Sequence, residues 1–244
     1  MNALAVKGLC KRYPAFSLEN VSFSVPEGAV MGFIGRNGAG KSTTLKSILG
    51  LVHPDAGEVT VLGKSFREEE QYIKERIGVV LGGIDFYPRK KVRLLSDVTR
   101  RFYGNWQEEK YRHYLNLFGI DQEKRVDQLS TGMRVKYMIA LALSHDARLL
   151  ILDEPTNGLD PEGMKEVRDL ILKLNQEKGI TVLVSSHILG ELSKFATRYG
   201  IIHHGKLIEE FTEEDLWRRC AGTGRQDIDL EDYFLSRIGG KQAC

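Results

Sequence analysis

The stretch Gly35-Arg36-Asn37-Gly38-Ala39-Gly40-Lys41-Ser42-Thr43 constrains this chain more than any other. It fits G-x-x-x-x-G-K-[ST], and its flanks fit as well. The apolar run 30–34 before it predicts a buried strand. Residues 44–49 after it predict a helix that stops at Gly50. Strand, glycine loop and helix together make this pattern a site. Backbone N–H groups in such a loop point inward and form a concave anion site. Glycines at 35, 38 and 40 permit unusual φ values and the close approach of phosphate oxygens. Lys41 supplies a positive charge to the β- and γ-phosphates, and Ser42 a hydroxyl for Mg²⁺. The loop is expected to bind a nucleoside triphosphate.

The rest of the chain alternates strands and helices around this unit. Residues 4–25 alternate apolar and polar positions between turn signals, which predicts antiparallel strands. A turn at 54–57 leads to a strand at 58–63, and 77–81 forms another buried strand. The charge run 67–70 reads as a solvated helix face. Helical spacing over 96–118 carries Phe102, Tyr103, Trp106, Tyr111, Tyr114 and Phe118, and an apolar helix follows at 133–143. These predict an α-helical subdomain inserted at about 84–146. Strands at 149–152 and 180–184 then flank a helix at 161–178, capped by Asp160 and closed by Gly179. A hairpin around Gly205 joins 199–203 to 206–209. The expected fold is α/β, with a mostly parallel sheet core and an N-terminal antiparallel β region.

A second group of residues converges on the loop. Arg148-Leu149-Leu150-Ile151-Leu152-Asp153-Glu154 is an apolar strand ending in two carboxylates. Ligands of open α/β sheets gather at the carboxyl ends of strands. Asp153 is thus placed to help hold Mg²⁺, directly or through water, and Glu154 to orient or deprotonate the attacking water. Strands also end in polar residues for no such reason, so the loop gives this pair its weight. His187 follows a strand end too; it is either structural or a contact to the transferred phosphoryl group. Leu129-Ser130-Thr131-Gly132-Met133 opens a long helix, as an N-cap turn or as a second anion site.

The order of these motifs resembles the ATP-binding cassette (ABC) ATPases over nearly the whole chain, to about residue 210. Gly35 to Thr43 look like Walker A, 149–153 like Walker B with catalytic Glu154, and 129–133 like the ABC signature. Gly158-Leu159-Asp160 resembles the D-loop, His187 the switch histidine, and Tyr13 the aromatic that stacks on adenine. The resemblance implies a P-loop NTPase fold, with one ATPase domain over 1–210 and a C-terminal helical tail over 211–244. It implies ATP and Mg²⁺ as ligands and a homodimer or heterodimer of such chains. Ser130, Gly132 and Asp160 would act at a nucleotide shared with the partner. Dimer closure and reopening would drive a separate transmembrane permease, placing this chain in the cytoplasm at the inner face of the membrane. Residues 185–189 and Phe86-Tyr87-Pro88 look most like ATPases of bacterial drug export and of lantibiotic or bacitracin resistance.

Two departures from the family bear on the rate. Gly82-Gly83 stand where a glutamine is usual, and the signature reads Leu-Ser-Thr-Gly-Met where Leu-Ser-Gly-Gly-Gln is usual. A missing water-positioning group is expected to cost about one to two orders of magnitude. A slow or non-hydrolysing ATP-dependent dimerisation module is therefore the alternative reading. Charge excludes one other class: 35 basic against 33 acidic residues give +2, no electrostatic case for nucleic acid. No apolar run approaches the ~20 residues of a membrane span. Three scattered cysteines (Cys10, Cys220, Cys244) lack metal-ligand spacing and predict a reduced compartment. The segment Arg89-Lys90-Lys91 with Arg93 reads either as a solvated basic loop or as a face toward permease or headgroups.

Overall fold

The computed structural model describes residues 1–81, 87–221 and 230–239. Gly82-Gly83, Phe86 and the glycines of 222–224 lie outside the described residues.

Two sheets face each other. β1 (Asn2–Tyr13), β2 (Phe16–Pro26), β4 (Ala56–Val61) and β5 (Lys64–Ser65) form an antiparallel sheet in the order β2-β1-β4-β5. Alternation sends Leu4, Val6, Val21, Phe23 and Val25 inward. The second sheet has the order β10-β9-β3-β8-β7-β6. Its strands are β3 (Val30–Ile34), β6 (Ile77–Val80), β7 (Leu149–Asp153), β8 (Thr181–Ser186), β9 (Arg198–His203) and β10 (Lys206–Thr212). Every neighbouring pair is parallel except the β9–β10 hairpin.

The central strands are apolar throughout because both faces are covered. Met31, Phe33, Leu149, Ile151 and Leu183 join the core shared with the antiparallel sheet and α1 (Lys41–Ile48). Val30, Ile34, Leu150, Leu152, Val182 and Val184 point the other way. There they meet α5 (Thr131–Leu143) and α6 (Pro161–Lys178). Gly78 of β6 is what lets α5 approach, since a Cβ there would lie 2.4 Å from the Ala142 Cβ.

α2 (Glu70–Lys74) precedes β6, so residues 67–69 of the expected helix face lie in a turn before it. α3 (Val92–Thr99), α4 (Glu108–Leu117) and α5 are tied by a buried hydroxyl cluster. Ser96 Oγ lies 2.8 Å from the Tyr137 hydroxyl and also accepts from the Tyr111 hydroxyl, while Tyr137 donates to Val92 O at 3.2 Å. Burial pushes the Tyr111 hydroxyl up to about 12, so it stays a donor. α6 has the expected ends: Asp160 Oδ1 accepts from Gly163 N at 2.8 Å, and Gly179 closes the helix at φ 64°.

Several boundaries differ from the sequence reading for local reasons. The loop helix starts at Lys41 because left-handed Gly40 (φ 114°) is its N-cap. α5 begins at Thr131 because the Ser130 hydroxyl accepts from Met133 N. β8 runs on to Ser186, paired with Ile34 of β3. α7 (Leu189–Leu192), α8 (Glu213–Ala221) and α9 (Leu230–Ile238) are the remaining α-helices among the described residues, with α9 packed on α7 and α8 on β10. Among the described residues, no helix is long and apolar enough to cross a membrane.

Candidate active site

The register of the parallel sheet assembles the site. β3, β8 and β7 are consecutive neighbours, and Ile34 pairs with Ser186 as Ser185 does with Asp153. Their carboxyl ends therefore deliver the glycine loop, His187 and the Asp153–Glu154 pair to one edge.

The loop's glycines serve different ends. Gly38 (φ 79°) and Gly40 (φ 114°) adopt left-handed backbone. Gly35 does not, which corrects the expectation of an unusual φ there. What it needs is space: a Cβ would lie 2.6 Å from Ile202 O of β9. The loop is braced at Ala39, whose carbonyl accepts from Gly205 N at 2.9 Å. Arg36 and Asn37 are exposed, Ala39 is buried, and at the helix start Ser42 is exposed and Thr43 half-buried.

Lys41 is buried, with its ammonium inside the loop. It donates to Gly35 O at 2.6 Å and Arg36 O at 3.3 Å, and pairs with Glu154 Oε1 at 3.1 Å. The other carboxylate oxygen of Glu154 meets His187 Nδ1 at 3.1 Å. His187 is 38% exposed, Glu154 19% and Lys41 4%, so the cluster meets solvent mainly through the histidine. Glu154 sits at φ 48°, unusual for a non-glycine residue and worth about 1–3 kcal/mol of strain. That backbone is held because its N–H donates to both Ser185 O and Ser185 Oγ at 3.1 Å.

Ser185 is the residue the sequence reading missed. Its hydroxyl also donates to Asp153 Oδ1 at 2.5 Å, so one buried side chain orients both carboxylate residues. No sequence signal singled it out, because two serines closing a strand are ordinary.

The structure thus brings together Lys41, Asp153, Glu154 and His187. The remaining candidates stand apart from this cluster. Tyr13 is exposed at the end of β1, with Lys11 Nζ 5.8 Å from its ring centre. Ser130 and Gly132 occupy the N-terminus of α5, where Ser130 is exposed. Asp160 acts as the cap of α6. Among the described residues, no hydrogen bond or ion pair links Tyr13, Ser130, Gly132 or Asp160 to the Lys41–Glu154–His187 group.

Ser42 at the start of α1 and Asp153 at the end of β7 carry the hard oxygens expected from the sequence to meet a metal. Among the described residues, no group of three or more His, Cys, Asp or Glu could hold a metal ion. That donor set suits Mg²⁺, which keeps water and substrate phosphates as its other ligands.

The family model described as ABC transporter matches residues 18–157. The bacitracin transport ATP-binding protein BcrA of Bacillus licheniformis is 40% identical over 239 residues, covering 91% of this chain and 78% of BcrA. The linearmycin resistance ATP-binding protein LnrL of Bacillus subtilis (strain 168) is 35% identical, over 84% of this chain and 67% of LnrL. A solved ATP-binding subunit of an ABC transporter superposes with a TM-score of 0.83 at 27% identity. The superposition covers 96% of this chain and 99% of that one.

Proposed function

Because the chain belongs to the ABC transporter family, as a member that binds and hydrolyses ATP, we propose that Lys41, Glu154 and His187 form its hydrolytic centre and that hydrolysis drives a separate membrane permease. The observation that carries this reading is the divided Glu154 carboxylate, with Lys41 on one oxygen and His187 on the other.

In this reading the phosphates of ATP enter the concavity of Gly35 to Thr43 and take over the Lys41 ammonium. Glu154, released from that pair, accepts a proton from water attacking the γ-phosphorus, and ADP leaves. His187 turns from Glu154 to the γ-phosphate and stabilises its developing charge. Ser42 and Asp153 would hold Mg²⁺, which would neutralise phosphate charge. Tyr13 stacks on the adenine for a gain of about 1 kcal/mol.

Ser130, Gly132 and Asp160 serve a nucleotide at the interface with a second cassette, in keeping with their having no hydrogen bond or ion pair to this chain's own cluster among the described residues. The likeness to BcrA and LnrL supports export of a drug-like substrate selected by the permease, with this subunit at the inner face of the membrane.

The test is phosphate release with Mg-ATP over a wide range of protein concentrations, beside Glu154→Gln. Specific activity is expected to rise with concentration and to fall about 10²-fold or more in the variant. ATP-dependent dimerisation with no difference between the two proteins would replace this reading with the non-hydrolysing module.

A further inference from the structure

α6 and α7 each begin beside a site loop. α6 opens at Asp160, on the segment that follows Glu154, and α7 starts two residues after His187. The two helices are joined directly. Arg168 Nη1 on α6 donates to Glu191 Oε2 on α7 at 3.1 Å. Lys194 Nζ takes the other oxygen of Glu191 at 2.5 Å.

Most ion pairs among the described residues have at least one exposed partner, as Lys64–Glu69 and Lys91–Glu123 do, and contribute little. This one differs, with side chains only 15% and 19% exposed. A shielded, charge-assisted bond of this kind fixes geometry as well as adding attraction. Its effect reaches the site through the backbone of α7. The amides of Glu191 and Leu192 both donate to the carbonyl of Ile188, the residue after His187. Displacing Glu191 therefore pulls on the Ile188 carbonyl, one residue beyond the imidazole. On the other helix, Arg168 lies two turns beyond the Asp160 cap, so the bond spans from one loop's helix to the other's.

We infer that Arg168 and Glu191 form a crossbar that positions His187 against Glu154, so that the two loops move as one body. This rests on the reading of His187 and Glu154 as parts of the hydrolytic centre. Neither Arg168 nor Glu191 touches the reacting atoms; both act through the switch loop.

The test is steady-state ATPase kinetics on Glu191→Gln and Arg168→Gln, alone and combined with His187→Ala, with thermal melts of each protein. Each single variant is expected to lower kcat about ten- to a hundredfold, as displacement of a site group by about 1 Å does, with KM for ATP within about twofold. In the His187→Ala background the same substitutions should lower kcat no further, because a residue acting through His187 has nothing left to act on. Arg168→Lys should restore part of the loss. Recovery by this retained charge separates positioning from simple misfolding. A full additional loss in the His187→Ala background overturns the crossbar and leaves the hydrolytic centre standing. If His187→Ala itself leaves kcat unchanged, the role given to His187 fails, and the crossbar with it.

Discussion

At the end of β8, one hydroxyl stands between Asp153 and the strained backbone of Glu154. Replacing it removes a donor to a buried carboxylate and an acceptor for the Glu154 amide. Ser185→Ala is therefore expected to lower unfolding free energy by about 1–3 kcal/mol, read from urea midpoints. ATPase activity should fall more than stability alone explains, because Glu154 loses one of the two acceptors that hold its left-handed conformation. Asp160 permits a sharper separation of roles. Its carboxylate caps α6, so Asp160→Ala should cost about 1 kcal/mol of stability, and Asp160→Asn, which still caps, close to nothing. If Asp160→Asn keeps stability and loses activity, the residue serves the nucleotide as well as the helix. At this scale the sequence was informative where a residue type is rare in its setting. A lysine after a glycine loop or two carboxylates ending an apolar strand stand out. Ser185 does not, because serine at a strand end is ordinary and its worth lies in contacts that only the β7–β8 register creates.

Elements were legible where they carry their own end signals. α6 has Asp160, Pro161 and Gly179, and its observed limits are those the sequence predicts. The start of the loop helix was shifted because a glycine cap has no side-chain signature. Packing between elements was less legible still. Nothing in Ile77-Gly78-Val79-Val80 announces that α5 lies on that glycine. Gly78→Ala forces a methyl to within 2.4 Å of Ala142 Cβ and 2.5 Å of Leu150 Cδ2. Overpacking of this kind typically costs about 1–3 kcal/mol, so a lower urea midpoint is expected. The basic stretch after residue 88 also resolves at this scale: Lys91 and Arg93 both pair with Glu123, which leaves less free charge than the sequence shows.

Across the molecule, the joint between the helical segment and the sheet core depends on a histidine that must stay neutral. His145 is buried, stacked on Tyr103 at 3.8 Å, and its Nδ1 lies 3.1 Å from Glu75 O. Burial pushes its pKa below the ordinary 6.5. Between the folded and unfolded values the unfolded chain binds the extra proton. Stability is thus complete above about pH 6.5 and falls as pH drops below it. Urea midpoints at neutral and mildly acidic pH should show this slope, and His145→Gln should flatten it. If the slope is the same in the variant, other groups carry the acid sensitivity.

The strand that bears the phosphate loop is flanked by β8 and β9, and Val30 finds its partner only at Val182. On a ribosome that distance becomes time. The loop, its lysine and its helix leave the exit tunnel long before the strands that seat them. Until then the apolar β3 lacks both its neighbours, and distant parallel pairing is slow to form. Nascent chains stalled before residue 181 should therefore hold the whole glycine motif and still fail to retain ATP. In such a protein the interval of greatest exposure to aggregation lies between the synthesis of β3 and that of β8, and chaperone demand should be concentrated there.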